Sequence, residues 1–123
     1  MLEKVAFTVY PVTDVPRARA FYEGLLGLDT HGTEKIGKEM AWIEYDLPGG
    51  GCFAIANFTE NTPHATAGGT IAFEVNDLDA LLAHLKSNGV EFMSDMTHSP
   101  ACRMAVCLDP DGNSILLHQL KNK

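Results

Sequence analysis

The sequence lacks any long hydrophobic segment. Hydrophobic residues make up 46% of its 123 residues, yet no apolar run approaches the roughly 18 residues that a membrane-spanning helix needs. The first residues, Met1 to Lys4, also lack the apolar stretch of a signal peptide. We therefore expect a cytoplasmic protein with no membrane partner, folded as a single domain.

Cysteine and clustered positive charge are also scarce. The 3 cysteines form no Cys-x-x-Cys pair, which argues against a disulfide framework or a cysteine zinc site. Acidic residues outnumber basic ones by 16 to 9, the net charge is −7, and Lys and Arg do not cluster. These features argue against nucleic acid and anionic lipid as partners. They leave a neutral or cationic small molecule as the expected ligand.

The first half of the sequence predicts a strand, a helix and three further strands. Residues 5–10 are β-branched and aromatic, which is typical of a strand. Thr13 or Asp14 can cap the helix that follows, and Gly27 ends it. The later extended segments are residues 29–34, 39–45 and 52–57.

The second half predicts the same order of elements. Residues 70–75 form a strand pattern, Asp77 can cap a helix, and Gly89 ends that helix. The extended segments after it are residues 91–93, 101–108 and 114–120.

The two halves are therefore predicted to be copies of one β-α-β-β-β module. A shift of 63 residues, since 77 − 14 = 63, superposes Asp14 on Asp77 together with a series of apolar positions. The alternative is that any two α+β halves share such caps and turns. The predicted parts are a first module at 1–58, a linker rich in Thr, Gly and Pro at 59–69, and a second module at 70–123.

Two segments carry a pattern beyond helix caps and turns, Val12–Leu28, VTDVPRARAFYEGLLGL, and Leu108–Asn113, LDPDGN. They resemble a known family, the vicinal oxygen chelate superfamily of glyoxalase I, bleomycin-resistance proteins and extradiol dioxygenases. The resemblance covers essentially the whole chain. It implies an α+β fold in which two β-α-β-β-β modules place curled mixed sheets around a cleft, and it implies a homodimer.

The resemblance also implies where a metal ion would bind. In the metal enzymes of this family the ligands lie on the first and last strand of each module. Here those positions fall on Phe7, Ile55, Thr70 and Leu116. None carries an imidazole or a carboxylate, the side chains that divalent ions prefer. We therefore predict no metal and no cofactor, which leaves no basis for glyoxalase I or ring-cleaving iron chemistry.

Strand alternation predicts which polar side chains share a face with these positions. Glu74 lies four residues from Thr70, and His118 lies two from Leu116. The first and last strands of a module are expected to be parallel, which would bring Glu74 beside His118. A carboxylate orients an imidazole and raises its basicity, so these two are the candidate catalytic pair. Alternatively, neither residue takes part in catalysis, because His118 lies near the end of the chain and Glu74 is a solvated charge at the end of its strand.

The remaining candidates are ligand-binding residues. Trp42 and Phe53 can stack on a flat ligand or pack in the core. Cys102 is either a thiol in the cleft, with Arg103 favouring its thiolate, or a small buried residue. The full predicted set is Phe7, Trp42, Phe53, Asn57, Thr70, Cys102, Arg103 and Leu116.

Two functions fit these features. The first is a metal-independent protein that binds a drug or metabolite in an apolar cleft. The alternative is a lyase or isomerase of the glyoxalase type that uses Glu74 and His118 as acid and base. A structural or regulatory dimer without a ligand is a third possibility.

Overall fold

A computed structural model of the chain describes residues 1–30, 32, 34–37, 39–59, 62–66 and 68–121. Two compact units divide the chain, unit 1 at Met1–Pro63 and unit 2 at His64–Lys123. The division falls inside the segment 59–69 that the sequence predicts as a linker. No helix among the described residues has the length and apolar character needed to cross a membrane.

Unit 1 has the predicted order of strand, helix and three strands. Its elements are β1 (Thr8–Pro11), α1 (Val15–Arg19) with a π-helical continuation (Ala20–Leu25), β2 (Glu34–Ile36), β3 (Ala41–Asp46) and β4 (Cys52–Ala56). The strands form one mixed sheet in the order β1-β4-β3-β2, with β1 parallel to β4. Asp14 caps α1 by accepting a hydrogen bond from the Arg17 backbone N–H at 3.1 Å.

Unit 2 repeats this order. Its elements are β5 (Ile71–Glu74), α2 (Leu78–Ser87), β6 (Phe92–His98), β7 (Cys102–Leu108) and β8 (Ser114–Leu120). The sheet order is β5-β8-β7-β6, with β5 parallel to β8. Asp77 caps α2 through the Ala80 backbone N–H at 3.1 Å. The α+β fold with two β-α-β-β-β units is therefore confirmed, and the cleft between modules stays a prediction.

The helix of unit 1 covers one face of its sheet. Tyr22 on the π-helical segment packs its ring 5.1 Å from that of Phe53, and the Tyr45 hydroxyl donates to Glu23 at 2.9 Å. Tyr45 on β3 and Phe53 on β4 therefore point to the helix. Side chains alternate along a strand, so Trp42 and Glu44 of β3 and Ala54 of β4 occupy the opposite side. We call this side the open face of unit 1.

The helix of unit 2 likewise covers one side of its sheet. The Arg103 guanidinium on β7 donates to Asp79 of α2 at 3.1 Å, and Gln119 on β8 accepts from the Leu78 backbone N–H at 2.9 Å. Arg103 and Gln119 therefore point to α2. The side chains next to them in each strand occupy the other side, the open face of unit 2. It includes Glu74, Met104, Leu116 and His118, which the strand register aligns.

Candidate functional site

The open face of unit 1 carries a groove of about 950 Å³. We call it the aromatic groove, and its described lining residues are Lys35, Ile36, Gly37, Glu39, Met40, Trp42, Glu44 and Phe58. Strand β3 builds its floor because its sequence, AWIEYD, buries Ile43 and Tyr45 under the helix and turns Trp42 and Glu44 outward. The groove is therefore a direct product of period-two alternation in β3.

Aromatic rings surround Trp42. The Phe7 ring meets the Trp42 ring edge to face, with centroids 5.2 Å apart, and the Phe58 centroid lies 6.2 Å from that of Trp42. Phe7 and Phe58 are 44% and 45% exposed. Large exposed aromatic side chains that lie together are typical of a binding surface. The groove therefore offers a flat ligand apolar surface that is otherwise in contact with water.

A carboxylate lies against the Trp42 ring. The indole Nε1–H donates to Glu44 Oε1 at 2.8 Å, and Glu44 Oε2 lies 4.0 Å from the Cys52 Sγ. Burial raises the pKa of the Cys52 thiol, and the negative charges of Glu44 and Asp46 raise it further. A thiol with a raised pKa stays protonated at neutral pH and is a poor nucleophile. The reactive form of this thiol is therefore disfavoured on the open face of unit 1.

Phe53, a predicted ligand-binding residue, instead matches the alternative interpretation and packs in the core. Phe53 has 0% exposure, and its ring packs against those of Tyr22 and Tyr45 at 5.1 and 6.3 Å. The ladder pairs Tyr45 with Phe53, which places both under the helix. Ile55 follows Phe53 to the same side, so Ala54 takes the open-face position between them.

Asn57, a predicted ligand-binding residue, forms side-chain hydrogen bonds with the backbone of the segment before β3. Its Oδ1 accepts from the Ala41 N–H at 2.8 Å, and its Nδ2 donates to the Glu39 carbonyl at 3.2 Å. These bonds hold the segment that leads into β3. Asn57 thereby positions the wall of the aromatic groove.

On the open face of unit 2, Glu74 and His118 lie side by side. The register pairs them across β5 and β8, and His118 Nδ1 is 2.6 Å from Glu74 Oε1. Glu74 Oε2 also accepts from the Leu120 backbone N–H at 2.9 Å. The carboxylate therefore contacts both the imidazole and the backbone of β8, and it holds the imidazole in one orientation.

Two more predicted residues lie along the same pair of strands. The hydroxyls of Thr70 and Ser114 are 2.6 Å apart. Leu116, between Ser114 and His118 on this face, is half-buried and pairs with Ala72. The open face of unit 2 thus has hydroxyls at one end, hydrocarbon in the middle and a carboxylate beside an imidazole at the other end.

Cys102 and Arg103 do not act together as predicted. Cys102 is buried, with its Sγ 3.2 Å from the Ser99 hydroxyl. The Arg103 guanidinium points to the helix-covered side, where it donates to Asp79 at 3.1 Å and to Gln119 at 2.8 Å. Neighbouring residues in a strand face opposite ways, so the Arg103 guanidinium and the Cys102 thiol lie on opposite sides of the sheet. The structure matches the alternative, in which Cys102 is a small buried residue.

The positions that the resemblance gives for metal ligands do not fit a divalent ion. They offer one hydroxyl, that of Thr70, which is already bonded to Ser114. Ile55 points to the helix, and the neighbouring residue on the open face, Ala54, has no side chain that could bind a metal ion either. Among the residues that the structure describes, no three His, Cys, Asp or Glu side chains group as a metal site would require.

Of the described residues that line the aromatic groove, only Trp42 was predicted to bind a ligand, and the residues that sequence reasoning missed include Glu44 and Phe58. A signal for Glu44 was present, because it lies two residues after Trp42 in a strand and so shares its face. Phe58 follows β4 outside any regular element, so no periodic pattern points to it.

Comparisons with known proteins agree with this fold. A family model described as Glyoxalase/Bleomycin resistance protein/Dioxygenase superfamily matches residues 4–117. The chain is similar to the uncharacterized protein YetH of Bacillus subtilis (strain 168), with 26% identity in an alignment 125 residues long that covers 97% of this chain and 100% of YetH.

Two solved structures show the same fold with different functions. TnmS3, an antibiotic-binding protein from Streptomyces sp. CB03234, has a TM-score of 0.78 and 24% identity, and covers 98% of each chain. The trypanothione-dependent glyoxalase I of Leishmania major has a TM-score of 0.76 and 23% identity, covering 96% of this chain and 87% of its own. Such similar scores for a binding protein and an enzyme mean that the fold does not choose between these functions. The match over residues 4–117 and the paired β-α-β-β-β units together establish that the chain belongs to the glyoxalase/bleomycin resistance protein/dioxygenase superfamily.

Proposed function

We propose that this protein binds a flat small organic molecule, a drug or a metabolite, in the aromatic groove and does so without a metal ion. The supporting observation is the cluster of Trp42 with the half-exposed rings of Phe7 and Phe58. Covering such a ring removes apolar surface from water and contributes about 1 to 2 kcal/mol per ring.

The neighbourhood of the rings supports the same proposal. Ile36 and Met40 line the groove and are more than half exposed. A concave apolar surface with a few fixed polar groups is the usual form of a small-molecule site. TnmS3, which has the same fold, is itself an antibiotic-binding protein.

The single tryptophan makes ligand binding directly measurable. Trp42 is the only tryptophan of the chain, so all indole emission comes from the aromatic groove. We expect planar aromatic compounds to change this emission in a saturable way, and EDTA to leave their affinity unchanged. Calorimetry should show that Trp42→Ala weakens binding about thirtyfold, since it removes the central stacking surface.

A matched control separates stacking from general loss of apolar surface. Met93 on β6 of unit 2 is 45% exposed, like Phe58, and is not among the described residues that line the groove. Met93→Ala should leave the affinity unchanged. If Trp42→Ala, with an unchanged circular dichroism spectrum, bound the same compounds as tightly as the wild type, the groove would not be the binding site.

A second function is supported by the 2.6 Å contact between Glu74 and His118. We propose it as the alternative: a lyase or isomerase in which His118 moves a proton next to a substrate carbonyl. His118→Gln should then lower proton exchange at that carbon about a hundredfold. The measurement is deuterium uptake by carbonyl compounds in heavy water, followed by NMR.

The exposed His84 on α2 provides the control for this alternative. His84→Gln should leave the exchange rate unchanged, and both variants should keep the wild-type melting temperature. Absence of exchange by the wild-type protein across such compounds would reject the enzymatic alternative and leave the binding proposal in place. The homodimer and the cytoplasmic location remain predictions from the sequence.

A further inference from the structure

The aromatic groove combines electron-rich rings with carboxylates. We propose that its ligand is an organic cation, in which a positively charged nitrogen on a flat ring system lies over the face of the Trp42 ring and beside the Glu44 carboxylate. This inference rests on the proposed binding function and adds the charge of the ligand to it.

The rings supply one half of the argument. The face of an aromatic ring carries negative potential, and tryptophan attracts cations more strongly than the other aromatic side chains. Phe7 and Phe58 lie beside Trp42, with centroids at 5.2 and 6.2 Å. The Trp42 N–H donates to a carboxylate at 2.8 Å, and this hydrogen bond polarises the indole toward a more negative ring. Such rings favour a cation over a neutral ligand of the same shape.

The charge of Glu44 supplies the other half. The other half-buried carboxylates that the structure describes in unit 1 contact an arginine, since Arg19 lies 2.6 Å from Glu23 and 3.0 Å from Glu34. Among the described residues, no lysine or arginine forms a salt bridge with Glu44, whose contacts are the Trp42 indole and the Cys52 thiol. A half-buried negative charge is stabilised by an opposite charge. A ligand cation would supply it.

The described lining residues and the neighbouring thiol agree with this sign. Glu39 and Glu44 contribute two negative charges to the groove and Lys35 one positive charge. After burial, the charges of Glu44 and Asp46 are what raise the pKa of Cys52. The potential that disfavours a thiolate on this face also disfavours an anionic ligand and favours a cation.

Three probes of nearly equal shape test the inference on the full-length protein. They are 1-methylquinolinium, 1-methylnaphthalene and 1-naphthoate, with charges of about +1, 0 and −1 at neutral pH. The ¹H–¹⁵N spectrum contains one indole signal, that of Trp42, which donates to Glu44. We expect the cation to shift this signal with about tenfold higher affinity than the neutral probe, and the anion to bind most weakly.

Glu44→Gln isolates the charge, because glutamine keeps an oxygen that can accept the indole N–H. The variant should bind 1-methylquinolinium about tenfold more weakly and 1-methylnaphthalene as the wild type does. Asp95→Asn is the control, since its side chain is 94% exposed on unit 2 and the substitution changes the net charge equally. It should change neither affinity. Added salt should weaken the binding of the cationic probe and leave that of the neutral probe unchanged.

The outcomes separate this inference from the function on which it rests. Equal binding of the neutral and cationic probes, or a cation preference that Glu44→Gln retains, would overturn the inference and leave the binding function standing. Failure of all three probes, and of the wider aromatic panel, to move the Trp42 signal would overturn both.

Discussion

Replacing Phe53 by alanine is expected to lower the free energy of unfolding by about 4 kcal/mol. The Phe53 side chain is 0% exposed, and its ring lies 5.3, 5.1 and 6.3 Å from the rings of Tyr10, Tyr22 and Tyr45. The substitution removes the ring about which the other three pack. Three stiff aromatic neighbours cannot collapse fully into the space, so a cavity remains and adds to the lost burial.

Phe58→Ala removes the same atoms from the aromatic groove and provides the matched control. Phe58 is 45% exposed, so we expect a loss of no more than about 1 kcal/mol. Urea unfolding measures both values. Similar small losses for the two variants would mean that Phe53 faces the open side, where it could stack on a ligand. A large loss for Phe53→Ala alone supports its position under the helix.

The repeated fold was predictable because its signals are local. Asp14 and Asp77 each bind a backbone N–H three residues later in their own helix, and Gly27 and Gly89 adopt φ values of +74° and +76° just after the helices. Capping and left-handed glycines depend on neighbours in sequence. Reading them requires no knowledge of tertiary contacts, and they mark both modules in the same order.

The face of a strand was predictable only where a polar residue marked it. Glu74 and His118 stand out in apolar strands, and the structure pairs them. Strand β4 reads CFAIA and is apolar throughout, with every residue from Phe53 to Ala56 buried. Such a strand has no alternation to read, so its register depends on the pairing with β3 and on the Tyr22 ring.

The candidate site was predictable in part for the same reason. Trp42 and Glu44 share a face through simple alternation in β3. Phe58 joins them from the chain beyond β4, and its position depends on the path of that segment.

Strand β6 of unit 2 is longer than the sequence predicted. It extends to His98, well past the predicted residues 91–93, because its pairing with β7 outweighs the low strand propensity of Ser94 and Asp95. Long-range pairing decides such features.

Alkaline pH is expected to destabilise the protein through Cys107. This residue lies on β7 with 0% exposure. Burial raises the pKa of its thiol from 9.0 to about 12, against the opposing effect of a backbone hydrogen bond and with a further contribution from the charge of Asp109. The native state therefore holds this proton at a pH where the unfolded chain has released it. The resulting stability is complete below about pH 9 and is lost as the pH rises toward about 12.

By about pH 11 the loss through this one thiol should be about 3 kcal/mol. Urea unfolding under reducing conditions at about pH 8 and about pH 11 measures it in the wild type and in Cys107→Ala. The variant should be slightly less stable at the lower pH, because it loses a buried sulfur. Between the two pH values its free energy of unfolding should then fall by about 3 kcal/mol less than that of the wild type. Lysine titration is common to both proteins and cancels in this difference.

Burial and the hydrogen bond to Glu23 also raise the pKa of Tyr45. Tyr45→Phe should therefore remove a separate loss of stability that begins at about pH 10. Equal declines in the wild type and Cys107→Ala would show that the thiol does not couple folding to pH, whereas a smaller decline only in Tyr45→Phe would assign the coupling to the phenol.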